Sequence, residues 1–300
     1  MEKVYFHKLL SQAWIASRAK KLPWIFASVV AFAGLIGSHV NADLEEAASP
    51  EELFRIIAQK SPHEVWYILL GLSVFFVVNI IGKSNLIVSL SFITYKNNLP
   101  NHPTTPRAIG SNFIRSFFLE CIALLLLIVT VGFLSLPLLI ASETNPGTLS
   151  SLIIFSFLTF IPIALTIFLI KQFALFYLLL SPLGIRGSIE TGSALFSRFF
   201  SLSLLFAFFS FLVTISFTFF ANLVILGITV LSKNIPLPFG EGIPSLIVSF
   251  IFFAWFALFE QALWLAFFQS IGGKHKESRA VKEKENGLDT DALPEVPPAQ

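Results

Sequence analysis

Along most of this chain apolar positions neither alternate nor recur at helical spacing; they run on with hardly a break. Six runs are long enough to cross roughly 30 Å of hydrocarbon as helix. They cover about residues 23–40, 63–82, 111–141, 150–181, 199–231 and 244–271. Several exceed the roughly 20 residues that a span requires, which predicts tilt or helix extending beyond the bilayer. Pro137 and Pro162 fall inside two of the runs; spans tolerate proline where neighbours satisfy the freed carbonyl. The predicted fold class is therefore all-α: a polytopic membrane protein with six transmembrane helices over residues 1–272. A disordered cytoplasmic tail is expected over 273–300, basic at first, then acidic and rich in proline.

Composition supports the same class. Hydrophobic residues make up 55% of the chain and charged ones 13%, against about 25% charged in soluble proteins. Too little polar material is present to coat a water-facing surface. The net charge of +2 gives no reason to expect nucleic acid as a partner. How the charge is distributed says more. Sixteen of the 20 Lys and Arg residues fall on one set of loops, among them Lys8, Arg18, Lys20, Lys21, Lys83, Arg115 and Arg198. Three fall on the other side, and Lys171 lies inside a span. This bias predicts that both termini are cytoplasmic, in a bacterial inner membrane. Lys8, Arg18, Lys20, Lys21, Arg115 and Arg198 are the expected contacts to lipid headgroups. A competing reading takes Lys20-Lys21, the apolar run after them and Val40-Asn41-Ala42 as a signal peptide, whose cleavage would leave five spans. The polar lead-in of 22 residues is long for an ordinary n-region.

The chain divides into three similar units, each a cytoplasmic amphipathic stretch, a span out and a span back. The stretches are Ala13-Trp14-Ile15-Ala16-Ser17-Arg18, Gly110-Ser111-Asn112-Phe113-Ile114-Arg115 and Gly192-Ser193-Ala194-Leu195-Phe196-Ser197-Arg198. Each leads with a small residue and closes on arginine. In the first, Phe6, Leu9, Leu10, Ala13 and Trp14 fall on one helical face. Such elbow helices should lie in the inner headgroup layer. On the returning spans, Ile170-Lys171-Gln172-Phe173 echoes Phe259-Glu260-Gln261-Ala262, with Asn79 in a comparable place. In the sizeable outer loop, Ser49-Pro50-Glu51-Glu52 predicts the start of a short helix.

An ionised side chain at mid-bilayer costs about 2.5–3.5 kcal/mol, so each one is a candidate for function. Glu120, Lys171 and Glu260 qualify. At 1.5 Å per residue, Lys171 and Glu260 lie roughly 5–8 Å, and Glu120 about 9 Å, to the cytoplasmic side of their span centres. Asn79, Gln172 and Gln261 fall at similar depth, so all six could form one polar layer. That layer reads in two ways. Lys171 pairs with Glu260 or Glu120, or snorkels to the headgroups, and the layer fixes helix packing, or the residues form a substrate, ion or proton site. Asn222 is expected to bond between helices.

Familiar enzyme signatures are missing. His63-Glu64 opens like a zinc-protease motif, but Tyr67 stands where the second histidine belongs. Glu51-Glu52-Leu53-Phe54-Arg55 falls one residue short of the EExxxR motif of CAAX-type intramembrane proteases. The single cysteine, Cys121, allows neither an internal disulfide nor a cysteine zinc site. No metal or cofactor is expected.

The lead-in Ala13-Trp14…Lys20-Lys21-Leu22-Pro23-Trp24 and the segment Gly192-Ser193-Ala194-Leu195-Phe196 resemble a broad bacterial group of membrane proteins. The group includes YciC-like proteins and the membrane domain fused to some glycerophosphodiester phosphodiesterases. The resemblance covers about residues 5–272 and implies the six-span fold. No catalytic residue carries over, because the phosphodiesterase chemistry of that group sits in a separate soluble domain. The expected function is a non-enzymatic inner-membrane protein that organises or assists an envelope process. Its expected partners are membrane lipids, with a membrane protein or a second copy beside it. The alternative is a transporter or lipid-handling protein that uses Glu120, Lys171 and Glu260.

Overall fold

The computed structural model describes residues 5–18, 21–42, 62–95, 106–142, 146–233 and 243–285. Within these residues all regular structure is helical: α1 Phe6–Arg18, α2 Lys21–Ala42, α3 Pro62–Tyr95, α4 Pro106–Ser142, α5 Pro146–Leu180, α6 Ile185–Arg198, α7 Phe200–Lys233 and α8 Ile243–Glu285. Five of them are long and apolar enough to cross a membrane: α3 through Trp66–Ser91, α4 through Arg107–Pro137, α5 through Ser151–Leu180, α7 through Phe200–Val230 and α8 through Ile243–Gly272. The apolar part of α2 counted among the described side chains is shorter, Lys21–Leu35.

Large apolar side chains on these helices face outward, including Phe133 at 74% exposure and Leu158 at 70%. Soluble monomers rarely expose contiguous apolar patches beyond a few hundred Å², so hydrocarbon is the solvent these faces fit. The chain is a multi-pass membrane protein.

Packing is concentrated at one end of the bundle. The C-terminal parts of α3 and α5 and the middle of α8 bury Leu86–Leu90, Phe173–Leu179 apart from the half-buried Tyr177, and most of Ala257–Phe268. Leu9 and Ala13 of α1, Leu195 and Phe196 of α6 and Phe206 of α7 join the same core. Phe206 stacks on Phe267 at 3.9 Å and meets Trp264 edge-on at 4.8 Å. Away from this base the helices present mostly exposed apolar surface. Small residues set the closest approaches. A Cβ on Gly82 of α3 would lie 2.7 Å from Val30 Cγ2 of α2, and one on Gly192 of α6 would lie 2.8 Å from the backbone nitrogen of Ala174 on α5.

The boundaries differ from the sequence reading at three places. The run expected to end at Gly82 continues in α3 to Tyr95, because Lys83 interrupts an apolar pattern that resumes at Leu86. Removing Lys83, Arg107 and Arg115, which the helices α3 and α4 take up, leaves thirteen basic residues against three in the sequence count. The stretch Gly110–Arg115 is not a separate elbow: it is continuous with α4 from Pro106 onward, and no breaker separates it from the span. The helix α8 runs past Gly273 to Glu285, where an irregular tail was expected to begin. The helix predicted after Ser49 lies outside the described residues, as do Lys20 and residues 286–300.

The other two elbows are discrete amphipathic helices. α1 packs along α8, with Trp14 edge-on to Trp255 at 5.4 Å, and its start meets α7, with Phe6 against Phe209 at 5.0 Å. It is therefore held by the bundle rather than resting on lipid alone. α6 turns back on α5 after Ser181–Gly184, where Gly192 meets Ala174.

Candidate functional site

Four helices deliver charged and amide side chains to one place at the upper edge of the packed base. α3 brings Asn79 and Lys83, one helical turn apart and so on one face. α4 brings Ser116 and Glu120 with the same spacing. α5 brings Lys171 and Gln172, and α8 brings Glu260 and Gln261. Four unpaired charges in hydrocarbon would cost on the order of 10 kcal/mol, so pairing decides whether the arrangement is tenable.

The structure resolves the alternatives left open for Lys171. Its ammonium lies 2.8 Å from Glu120 Oε2, with the two side chains 17% and 18% exposed. Lys83 donates to Gln172 Oε1 at 3.3 Å. Glu260 makes no hydrogen bond or ion pair among the described residues, and no contact within 4.0 Å joins it to Lys83. Gln172 and Gln261 are almost fully buried, and each keeps one unpartnered polar atom, Nε2 of the first and Oε1 of the second.

Two cavities adjoin at Asn79 and Lys83, which line both. The smaller, about 100 Å³, lies between α3, α4 and α5, with Glu120, Lys171 and Ser116 on its wall. The larger, about 200 Å³, lies between α2, α3, α5 and α8. Its polar wall is Asn79, Lys83, Gln172, Glu260 and Gln261, and its apolar wall includes Phe168 and Trp264. Helical spacing explains the division. On α5, Phe168 and Gln172 are one turn apart and face the larger cavity; Lys171 and Leu175, again one turn apart, face the smaller. A polar cavity of this size holds several waters or one small polar group.

Below this layer a second set of bonds ties the base together. Asn112 of α4 donates to Asn85 Oδ1 of α3 at 3.2 Å, and Asn85 itself donates to the Ile81 carbonyl. Arg115 donates to the Leu183 carbonyl at 2.6 Å, so it fastens α4 to the α5–α6 turn rather than reaching only for headgroups. The other expected headgroup cations stay at the surface: Lys8 and Lys21 are exposed, and the Arg18 guanidinium lies 4.2 Å over the Trp14 ring. Arg198 lies 5.6 Å from the Phe199 ring. Asn222 is exposed on α7 with no hydrogen bond among the described residues, contrary to the interhelical bond expected for it.

All six residues expected in the polar layer line one or both cavities. Sequence reading missed Lys83, which it had placed in a loop, and with it Phe168, Trp264 and Ser116. A signal for Lys83 was present: Lys83-Ser84, Lys171-Gln172 and Glu260-Gln261 are charged–polar pairs spaced 88 and 89 residues apart. Among the described residues no three His, Cys, Asp or Glu side chains come together as a metal site. No family model matches the chain, and neither a curated protein nor a solved structure matches it.

Proposed function

We propose that this six-span protein, with its packed base towards the cytoplasm of a bacterial cell, binds a small polar group in the layer around Lys83. It does so as a transporter or lipid-handling protein and not as an enzyme. One observation carries the reading: Lys83 and Glu260, opposite in charge, line the same cavity without touching. A purely structural layer would close that pair, because the attraction of two opposite charges in a low-dielectric interior is forgone when they do not meet, and Lys83 has only the neutral Gln172 amide as its hydrogen-bond partner among the described residues. The sequence resemblance to YciC-like proteins leaves the ligand open.

The organising role is the second reading, favoured by a different observation. The Lys171–Glu120 pair and the Lys83–Gln172 bond join α3, α4 and α5 in a manner suited to fixing helix packing. Lysis into native-lipid nanodiscs followed by intact-complex mass spectrometry separates the two. The binding reading expects a small polar species or lipid retained by the wild-type chain and lost from Lys83→Met at near-normal yield. A wild-type chain retaining only a stoichiometric protein partner, with Lys83→Met merely lowering yield, supports the organising role instead.

A further inference from the structure

We infer that the group held in the larger cavity is a zwitterion, with its ammonium on Glu260 and Trp264 and its anionic group on Lys83. This rests on the polar-ligand reading above and specifies the ligand's chemistry. The charges of the layer divide unevenly between the two cavities. On the smaller one, Lys171 and Glu120 satisfy each other at 2.8 Å. On the larger one are Glu260 and Lys83, the latter shared with the smaller, one negative and one positive, lining the same volume without forming an ion pair. An anion alone would leave the Glu260 carboxylate facing it, and a cation alone would leave Lys83 uncompensated. A molecule carrying both charges satisfies both walls and adds no net charge to the membrane interior.

The details of each wall fit. Glu260 and Trp264 are one turn apart on α8, so carboxylate and indole flank the same volume. A carboxylate beside an aromatic face suits a primary or methylated ammonium, and indole is the strongest of the aromatic partners. Phe168 meets Trp264 edge-on at 5.9 Å, and Lys171 lies 5.7 Å from the Phe168 ring. Trp264, packed on its other contacts by Phe206 and Phe267, lines the cavity as the aromatic with no cation beside it among the described residues. At the other end, Lys83 spends one donor on Gln172 Oε1; an ammonium carries three donors. Gln172 Nε2 is a buried donor without a partner on the same residue that holds Lys83. A phosphate or carboxylate next to Lys83 would find donors there. The head of a zwitterionic phospholipid and a free zwitterionic solute share this chemistry.

The test uses the full chain in nanodiscs. Thermal midpoints are read with free phosphoethanolamine, inorganic phosphate or ethylamine, and retained lipid is read by mass spectrometry in phosphatidylethanolamine-containing and purely phosphatidylglycerol discs. The expected result is an upward shift with phosphoethanolamine at concentrations at least tenfold below those at which phosphate or ethylamine acts. Glu260→Gln should abolish that preference, while its elution profile and helical content stay those of the wild type. Selective retention of phosphatidylethanolamine, lost in Glu260→Gln, would identify a lipid source. A response only to the free compound would identify a solute. Equal responses to phosphate and phosphoethanolamine, unchanged in Glu260→Gln, would overturn the zwitterion while leaving a polar-ligand site. No response to any probe and no retained ligand would overturn both.

Discussion

The Lys171 ammonium sits 2.8 Å from Glu120 Oε2, joining α5 to α4 across 51 residues of sequence, while Glu260 at the same level is left facing a cavity. The pair is neither fully buried nor exposed. Breaking it should cost between the roughly 1 kcal/mol of a surface pair and the roughly 3–5 kcal/mol of a buried one. Lys171→Ala and Glu120→Ala are each expected to lower folded yield and thermal midpoint, and the exchanged pair Lys171→Glu with Glu120→Lys should recover most of the loss. Fluorescence-detected size exclusion of the four chains checks this. Singles and exchange indistinguishable from wild type would show the pair to be dispensable.

Gly192 should be far less tolerant than Gly227. A Cβ at 192 meets backbone atoms of Ala174 at 2.8 and 3.1 Å, which cannot move aside as a side-chain tip can. Gly192→Ala should therefore push α6 from α5 at a cost of about 1–3 kcal/mol, the usual range for overpacking. At Gly227 nothing lies within 4 Å, and alanine should be neutral or slightly stabilising. Thermal unfolding in detergent, with both variants side by side, measures the contrast.

The helix α1 is predicted to stay docked through its aromatic contacts rather than through lipid. Removing the edge-on Trp14–Trp255 contact with Trp14→Ala forfeits about 0.5–1.5 kcal/mol beyond lost area. Since 1.4 kcal/mol is tenfold in an equilibrium, amide exchange within Phe6–Arg18 should accelerate by roughly two- to tenfold. Exchange in α6, which packs elsewhere, should not change. Equal exchange in wild type and variant would mean that α1 is held by the bilayer.

Much of this architecture was legible because lipid imposes a simple rule: uninterrupted apolar length means a helix. The amphipathic face of α1 was readable for the same kind of reason, since Leu9 and Ala13 recur at helical spacing and both are buried. Lys83 was misplaced by a rule that is sound on average, that lysine ends a span and marks a loop. What defeats the rule is local: Asn79 and Gln172 give the ammonium a polar seat inside α3, and apolar residues continue beyond it. Whether Lys171 chose Glu120 or Glu260 could not be read from the sequence, because both carboxylates lie at similar depth and only helix adjacency separates them. α4 packs beside α5 more closely than α8 does. The cavities were out of reach too, since a void is set by how side chains on four helices fail to meet.

The most direct measurement is a high-resolution electron cryomicroscopy map of the full chain in native-lipid nanodiscs, read in the space between Lys83 and Glu260. Ordered density bridging the Lys83 ammonium and the Glu260 carboxylate, with Trp264 alongside, is the predicted result. A direct Lys83–Glu260 contact with the cavity closed around it would contradict the binding site and leave the polar layer as a packing device.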